Sequence, residues 1–393
     1  MTAPGQTVGI SVFVDHFIDD LDVSRSALSV GYMIGTGLGA LAMPLAGRLI
    51  DRRGLRWATM AFGGAFGAAL FAMAGVMGFV TLVMGFAAIR MLGQGALTLT
   101  ASTSVAVSFD RNRGTAIGLK SAFGVATMSL VPLVAAVWIS AWGWRQTYIG
   151  LALVVWAVLL PVGRWVVKDP RRAPVSPVAQ RQPRGAAKGN PDVRLALRHP
   201  AFWVVAAGVA ASALVGTGLM FHQISLLTER GLTATEAAAN FIPQTVAAAV
   251  AALGFGRLAD RLRPRLVIAG SASLVAAAPM LVQFVQPGLS VITYGLVLGA
   301  AGSCCRTVEA TLLPRWFGTS VIGEIRGVVM GTVVAASAVG PLILAVSHDA
   351  LGAYTTGLNG FGLVAGLVVA AGTLVRLPGA AGASRGDSKE PSA

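Results

Sequence analysis

The chain has 393 residues, 55% of them hydrophobic and 12% charged, which is too few charges to coat a water-soluble domain of this size. Its formal charge of +14 does not point to nucleic acid, because the basic residues lie in short loops between apolar runs, with no basic helix face and no aromatic interleaving. A lipid bilayer is the expected surrounding, and the charge reads as the Lys/Arg excess that loops on one side of a membrane carry. Apolar runs long enough to cross about 30 Å of hydrocarbon predict spans over 5–20, 27–49, 56–76, 79–107, 113–140 and 145–167, an N-terminal six-helix bundle over 1–168. Residues 169–199 are rich in Pro and basic residues without apolar periodicity, and are expected to be a mostly disordered cytoplasmic linker. A second set of spans follows over 200–228, 235–257, 265–285, 289–314, 320–347 and 351–376, a C-terminal bundle over 200–378 with a polar, disordered tail at 379–393.

The two sets are copies of one unit. Gly47-Arg48-Leu49-Ile50-Asp51-Arg52-Arg53-Gly54-Leu55-Arg56 returns, with six of ten residues identical, as Gly256 to Arg265, each residue 209 positions later. The same offset pairs Gly114 with Gly323, Gly118 with Gly327, Pro132 with Pro341 and Gly143 with Gly352. Parallel repeats of hydrophobic helices, related by an axis along the membrane normal, are the build of one large class of secondary transporters. The fold class expected is therefore all-α and membrane-spanning, with 12 helices in two pseudo-symmetric bundles. Against this repeat the first span is short: Val8 to Phe13 is followed by Asp15 and His16, and the counterpart of the helix beginning near Pro200 would start upstream of Met1. The natural start is accordingly expected roughly ten residues upstream, with a short helix accommodated by tilt or thinning as the alternative.

Loop charge sets the topology. Arg48, Arg52, Arg53 and Arg56, then Arg111 and Arg113, then the linker, then Arg257, Arg261, Arg263 and Arg265 all fall on one side, and the opposite loops hold Arg25, Arg145 and Arg230. This predicts a multi-pass protein of the plasma or inner membrane with both termini in the cytoplasm. Glycines, 49 in all, are spread through the spans, as expected where helices pack closely in lipid. Cys304 and Cys305 are adjacent in an apolar run and read as small packing residues. No metal, cofactor or catalytic site is expected, since the sequence has no His/Cys cluster, no Gly-x-Ser-x-Gly and no phosphate loop.

The stretch 47–56 resembles the loop 2-3 signature of the major facilitator superfamily, Gly-x-x-x-Asp-Arg-x-Gly-x-Arg, at every fixed position. Gly47 would allow close packing at the end of helix 2, and Asp51 could face the positive end of a neighbouring helix. The resemblance implies a conformational gate made by Gly47, Asp51, Arg52, Gly54 and Arg56, mirrored by Gly256, Asp260, Arg261 and Arg265. Arg263 replaces the second glycine in the second copy, which predicts a more relaxed turn there. Arg90-Met91-Leu92-Gly93-Gln94-Gly95 is similar to the superfamily's Arg-x-x-x-Gly-x-Gly pattern on helix 4. Asp20 to Leu28, and Trp316-Phe317-Gly318 through Gly340-Pro341-Leu342 to Asp349–Tyr354, resemble the monocarboxylate and oxalate/formate branch. That branch's helix 1 lysine and helix 8 Asp-x-x-x-Arg have no match in 5–20 or 240–256, and the helix 5 antiporter signature is missing at 124–134.

Charges within spans cost roughly 2.5–3.5 kcal/mol each on insertion scales and are functional candidates by default. Arg90, near the middle of helix 4, could engage a carboxylate bidentately or brace the N-terminal bundle. Arg306 and Glu309 share a face of helix 10, so they could neutralise each other, or Arg306 could bind substrate while Glu309 answers by protonation. Asp15 and His16 either titrate in a cavity-lining helix or form its wet outer end. Lys120 either contacts an anion or snorkels to the interface. His222 is a weaker candidate, and Tyr32, Gln94, Gln244 and Tyr294 could orient a ligand or simply join helices.

These readings together predict a secondary transporter that moves a small organic anion, a carboxylate, with a proton by alternating access, functional as a monomer in the bilayer. The alternatives are efflux of a hydrophobic drug or metabolite and, from another class, a sensor that kept the fold but not turnover.

Overall fold

A computed structural model describes residues 2–108, 113–167, 191–317 and 322–375. Without water to bond free backbone groups, a chain in lipid closes its hydrogen bonds within each segment, and the described residues are correspondingly helical. The twelve spans are α1 (Thr7–Ser11 and Val14–Leu21), α2 (Arg25–Leu41 continued by Met43–Arg53), α3 (Leu55–Met73), α4 (Phe79–Ile89, Arg90–Leu97 and Thr98–Ser108), α5 (Arg113–Trp142) and α6 (Trp144–Pro161 with Val162–Val166), then α7 (Pro200–Phe221 and Gln223–Thr228), α8 (Ala234–Ala239 and Phe241–Arg261), α9 (Pro264–Leu281), α10 (Leu289–Phe317), α11 (Ile322–Leu351) and α12 (Thr355–Leu374). Among the described residues nine of these stretches are long and apolar enough to cross a membrane; α1, α3 and the partly described α5 complete the set.

The 209-residue offset holds in three dimensions. Helices α5 and α11, of 30 residues each, begin and end at offset-related positions. Gly143 (φ +81°) and Gly352 (φ +69°) both take the positive φ that glycine favours, in the turns that lead into α6 and α12. The two loop motifs differ as the sequence predicts: Gly54 has φ +89°, which only glycine adopts freely, whereas Arg263 sits at φ −62°.

Three expectations need correction. The first span is not one helix: α1 breaks at Val12–Phe13, after a 3₁₀ turn at Ala3–Gly5 seated against α4, where a Cβ on Gly5 would fall 2.5 Å from the Ile89 carbonyl oxygen. Helix α7 breaks at the offset-related His222, so the interruption belongs to the repeat unit and is not peculiar to the chain's first helix. The expected linker 169–199 is helical at its end, over Pro191–Arg198, with Ala196 buried, Leu197 partly buried and Leu195 exposed; 168–190 and the tail lie outside the described residues. Nor is Gly47 demanded by close packing. A Cβ there would meet Leu99 at 3.9 Å, and one on Gly256 would meet Thr307 at 3.9 Å, both ordinary contacts.

Close approach is concentrated elsewhere. A Cβ on Gly299 would fall well inside contact with the Gln244 carbonyl oxygen, and one on Gly340 would do the same with the Leu214 carbonyl, so α10–α8 and α11–α7 touch backbone to backbone. The bundles meet along α2 with α11 and along α5 with α8, pairs related by the same offset.

Candidate functional site

A cavity of about 520 Å³ lies between the bundles, lined by residues of α1, α4, α5 and α7 to α11. Its wall is mostly apolar, with Met128, Val209, Met220, Phe241, Leu298 and Met330, and its polar points include Gln94, Ser212, Thr217, Gln244, Thr245 and Ser337. Among the described lining residues Arg306 carries the charge. Its guanidinium folds back along α10 over Gly302, whose missing side chain leaves room: a Cβ there would be 3.4 Å from Nη1 and 3.7 Å from Ser212 Oγ. The hydrogen bond it donates to Ser303 Oγ is long, 3.5 Å, and no carboxylate lies within ion-pair distance among the described residues.

Glu309 does not neutralise Arg306. Its Oε1 accepts from Arg326 Nε of α11 at 3.0 Å, one turn further towards the motif loops. The two residues share a helix face by spacing, but the guanidinium turns back towards Ser212 while the carboxylate turns to α11.

Arg90 is buried inside the N-terminal bundle, on a π-helical segment, Arg90–Leu97. Its Nε donates to Thr36 Oγ1 (3.1 Å), its Nη1 to Thr7 Oγ1 (3.4 Å), and its guanidinium lies over the Tyr32 ring; Thr7 Oγ1 and Tyr32 Oη are 2.7 Å apart. This arrangement ties α4 to α1 and α2. It has the geometry of a brace, and Arg90 is not among the cavity-lining residues.

Asp15 lies far from that brace, at the end of the bundles away from the motif loops. Arg25 Nη1 pairs with Asp15 Oδ1 (2.9 Å) and donates to Ser225 Oγ (2.9 Å), and the Ser225 hydroxyl donates to the Asp15 carboxylate (2.6 and 2.8 Å to its oxygens). Beside it, the backbone N–H of Ser26 donates to Asp349 Oδ2 (2.7 Å), and His348 faces Glu229 Oε1 (3.2 Å). Burial raises the Tyr354 phenol above its usual pKa, so it meets Arg25 as a neutral ring at 5.8 Å. Ser129 Oγ of α5, lower down, donates to the Phe241 carbonyl (3.1 Å) and contacts Thr245 Oγ1. The hydrogen bonds described between the bundles thus fall in the half away from the motif loops, so that half is closed across the cavity.

On the motif side, no hydrogen bond joins the two bundles among the described residues. Asp51, Arg52 and Arg261 are exposed, and the Asp51 side chain has no described hydrogen bond. His16 is half-buried without a described hydrogen bond, and the side chains of Lys120 and Asp260 lie outside the described residues. Of the set predicted from sequence, the fold therefore brings Arg306 to the cavity, Asp15 to the far closure, Arg90 to an internal brace and Glu309 to a pair with Arg326.

Sequence reasoning missed Ser225, Arg326 and Asp349 as functional positions and used Arg25 only for topology. Arg25 opens α2 and Asp15 lies on α1 ten residues earlier, opposite charges on consecutive helices, a signal that could have paired them. Ser225 offers none, since one serine in an apolar run is ordinary.

Comparison with known proteins agrees with this architecture. Two crystal structures of a bacterial homolog of the human lysosomal transporter Spinster, inward-facing and unoccupied or inward-facing and occupied, superpose with TM-scores of 0.74 and 0.69. Each is 16% identical, over 95% of this chain and 93% of that one, a likeness of fold. No curated protein matches by sequence. The Major Facilitator Superfamily profile matches residues 3–244, more than half of the chain and across the first copy of the repeat into the second. This chain belongs to the Major Facilitator Superfamily.

Proposed function

We propose that the chain moves a small organic anion, a carboxylate, together with a proton, by rocking its two bundles about the central cavity. The observation that carries this reading is Arg306, a cation facing the cavity with a weak hydrogen bond and no described acidic partner. A guanidinium left in this way costs free energy that a carboxylate, held bidentately in a low-dielectric wall, returns. The apolar remainder of the wall suits the carbon skeleton of the same molecule.

Alternating access is supported by the asymmetry of the closure. The half away from the motif loops is shut by Asp15, Arg25, Ser225 and Asp349, and the hydrogen bonds between the bundles among the described residues all fall in that half. Loop charge assigns the motif side to the cytoplasm, so this is the inward-open state. The similar crystal structures, of a protein described as inward-facing, support the same assignment.

Proton coupling follows from cost. Moving one negative charge against a membrane potential costs about 2.3 kcal/mol per 100 mV, and a proton carried along removes that cost. Asp15 is the carboxylate proposed to carry it, because its surroundings change when the bundles separate.

The test is uptake by proteoliposomes under an imposed pH gradient, using a panel of short monocarboxylates and dicarboxylates. Uptake of at least one, lost on Arg306→Ala, is the expected result; no uptake of any would sink the anion reading. Unchanged carboxylate uptake in Arg306→Ala would move the weight to export of hydrophobic compounds, which the mostly apolar wall would suit.

A further inference from the structure

The two bundles are copies, yet the contact that closes the far mouth is built differently in each. Helix α8 opens with a complete capping box: Thr233 Oγ1 accepts from the Glu236 N–H (3.2 Å) and Glu236 Oε2 accepts from the Thr233 N–H (2.8 Å). The 209-residue offset sets this start beside that of α2, where Ser24 stands for Thr233 and Ala27 for Glu236. Ser24 makes its half of the box, accepting from the Ala27 N–H at 3.1 Å. Alanine cannot make the other half. The first turn of α2 therefore lacks the carboxylate that its own repeat partner has.

A carboxylate arrives from the other bundle instead. Asp349, in the last turn of α11, accepts from the Ser26 N–H at 2.7 Å, at the second position of α2. The offset sets Asp349 beside Ser140, whose hydroxyl bonds its own helix at the Val137 carbonyl. The exchange is reciprocal: the bundle whose helix start carries an acid faces a serine, and the bundle whose helix start lacks one faces an acid.

We propose that Asp349 caps α2 in trans and thereby holds the far mouth shut, setting the resting balance of the transporter towards the state open at the motif loops. The physical reason is the helix start itself. Its free N–H groups and dipole favour a negative partner, and a charge-assisted hydrogen bond is stronger than a neutral one. While the mouth is shut the α2 start has that partner. When the bundles part, Asp349 goes with α11, and Ser26 is left to water, whereas α8 keeps its own Glu236 in both states. The cost of losing the cap falls on the outward-open state alone. Arg25 and Ser225 close the same mouth by a separate contact, and the charged groups around Asp349 are Arg25, Glu229 and His348, the last with Nδ1 at 3.9 Å from Asp349 Oδ1.

This inference rests on the rocking motion proposed above and not on the identity of the cargo. The experiment places spin labels at two exposed positions on either side of the mouth, Asp19→Cys and Ala350→Cys, in the full-length protein in liposomes; Cys304 and Cys305 are buried and leave labelling to the introduced thiols. Pulsed dipolar spectroscopy reads the ratio of short to long distances. Asp349→Asn, which keeps size and removes charge, is expected to lower that ratio about fivefold or more. Ala27→Glu leaves Asp349 intact and gives the α2 start its own carboxylate, which would accept from the Ser24 N–H and repel Asp349 at the same helix end, so it is expected to lower the ratio too, while leaving the melting temperature equal or higher. That second variant separates loss of the cap from damage to the fold.

A wild-type ratio in both variants overturns the proposal. So does opening by Asp349→Asn without opening by Ala27→Glu, because the carboxylate would then act through His348 and not through the helix start. Arg25→Ala, which breaks the neighbouring contact, distinguishes the two failures. If it opens the mouth and the cap variants do not, the trans cap alone is wrong. If no variant ever gives a long distance, the rocking motion is wrong and the trans cap falls with it.

Discussion

The Arg90 guanidinium lies 4.6 Å from the centre of the Tyr32 ring, and its described hydrogen bonds go to two threonine hydroxyls, with no carboxylate within ion-pair distance among the described residues. A buried cation held only by a ring face and hydroxyls is expensive to place. What it gains is a joint between α1, α2 and α4, just where α4 loosens into a π-helical segment. Arg306 has the opposite surroundings, an open cavity and almost no partner.

The two arginines should therefore fail in opposite ways. Arg90→Ala leaves Thr7, Thr36 and Tyr32 without their shared partner, and is expected to cost about 2–4 kcal/mol of stability, read as a lower melting temperature in detergent, with Kd for a transported carboxylate within a few-fold of wild type. Arg306→Ala should leave the melting temperature nearly unchanged and abolish measurable binding. Equal effects of both on binding would refute the division.

Glycine substitutions give a second test, of packing. At Gly299 and Gly340 a Cβ would run into the backbone carbonyls of Gln244 and Leu214, which cannot rotate away. Gly299→Ala and Gly340→Ala are expected to cost about 2–4 kcal/mol each, seen as loss of monodisperse protein on size exclusion. Gly327 and Gly331 have open space where a Cβ would go. Alanine there should be neutral or stabilising by up to about 1 kcal/mol, because it lowers the entropy of the unfolded chain.

Much of this architecture is legible in the sequence. The repeat follows from identical residues at a constant offset, and helices in lipid follow from composition, so α5 and α11 coincide end to end. The site was less legible, for a physical reason. Sequence spacing says that Arg306 and Glu309 share a face, but a long side chain pivots over several ångströms, and Arg306 folds back over Gly302 while Glu309 reaches Arg326. Contacts between bundles were beyond reach. The Ser26–Asp349 bond joins residues 323 apart through a backbone N–H, which every residue but proline carries.

The loop turn is a third test, with an internal control. Gly54 is held at φ +89°, so Gly54→Ala is expected to cost about 1–2 kcal/mol. Arg263 stands at the offset-related position with φ −62°, and Arg263→Ala should change stability by less than about 0.5 kcal/mol. Thermal unfolding of the two variants side by side settles the comparison; equal costs would mean that the turn is not what constrains position 54.

The coupling residue can be argued from which surroundings change. A carried proton must be taken up in one state and released in the other, so its carboxylate needs different neighbours in the two. Glu309 pairs with Arg326, and α10 and α11 belong to the same bundle, so the pair travels together as the bundles rock. Asp15 pairs with Arg25 in its own bundle but accepts from Ser225 of the other, and that hydroxyl leaves when the far mouth opens. Because that donor is present in one state only, Asp15 is the carboxylate whose surroundings differ between the two states. Asp15→Asn is accordingly expected to keep exchange of labelled anion across the liposome membrane while losing accumulation driven by the pH gradient. Glu309→Gln, whose half-exposed partner makes the pair worth about 1 kcal/mol or less, should keep both. Gradient-driven accumulation by Asp15→Asn at the wild-type level, or its loss in Glu309→Gln with exchange intact, would move the proton from α1 to α10.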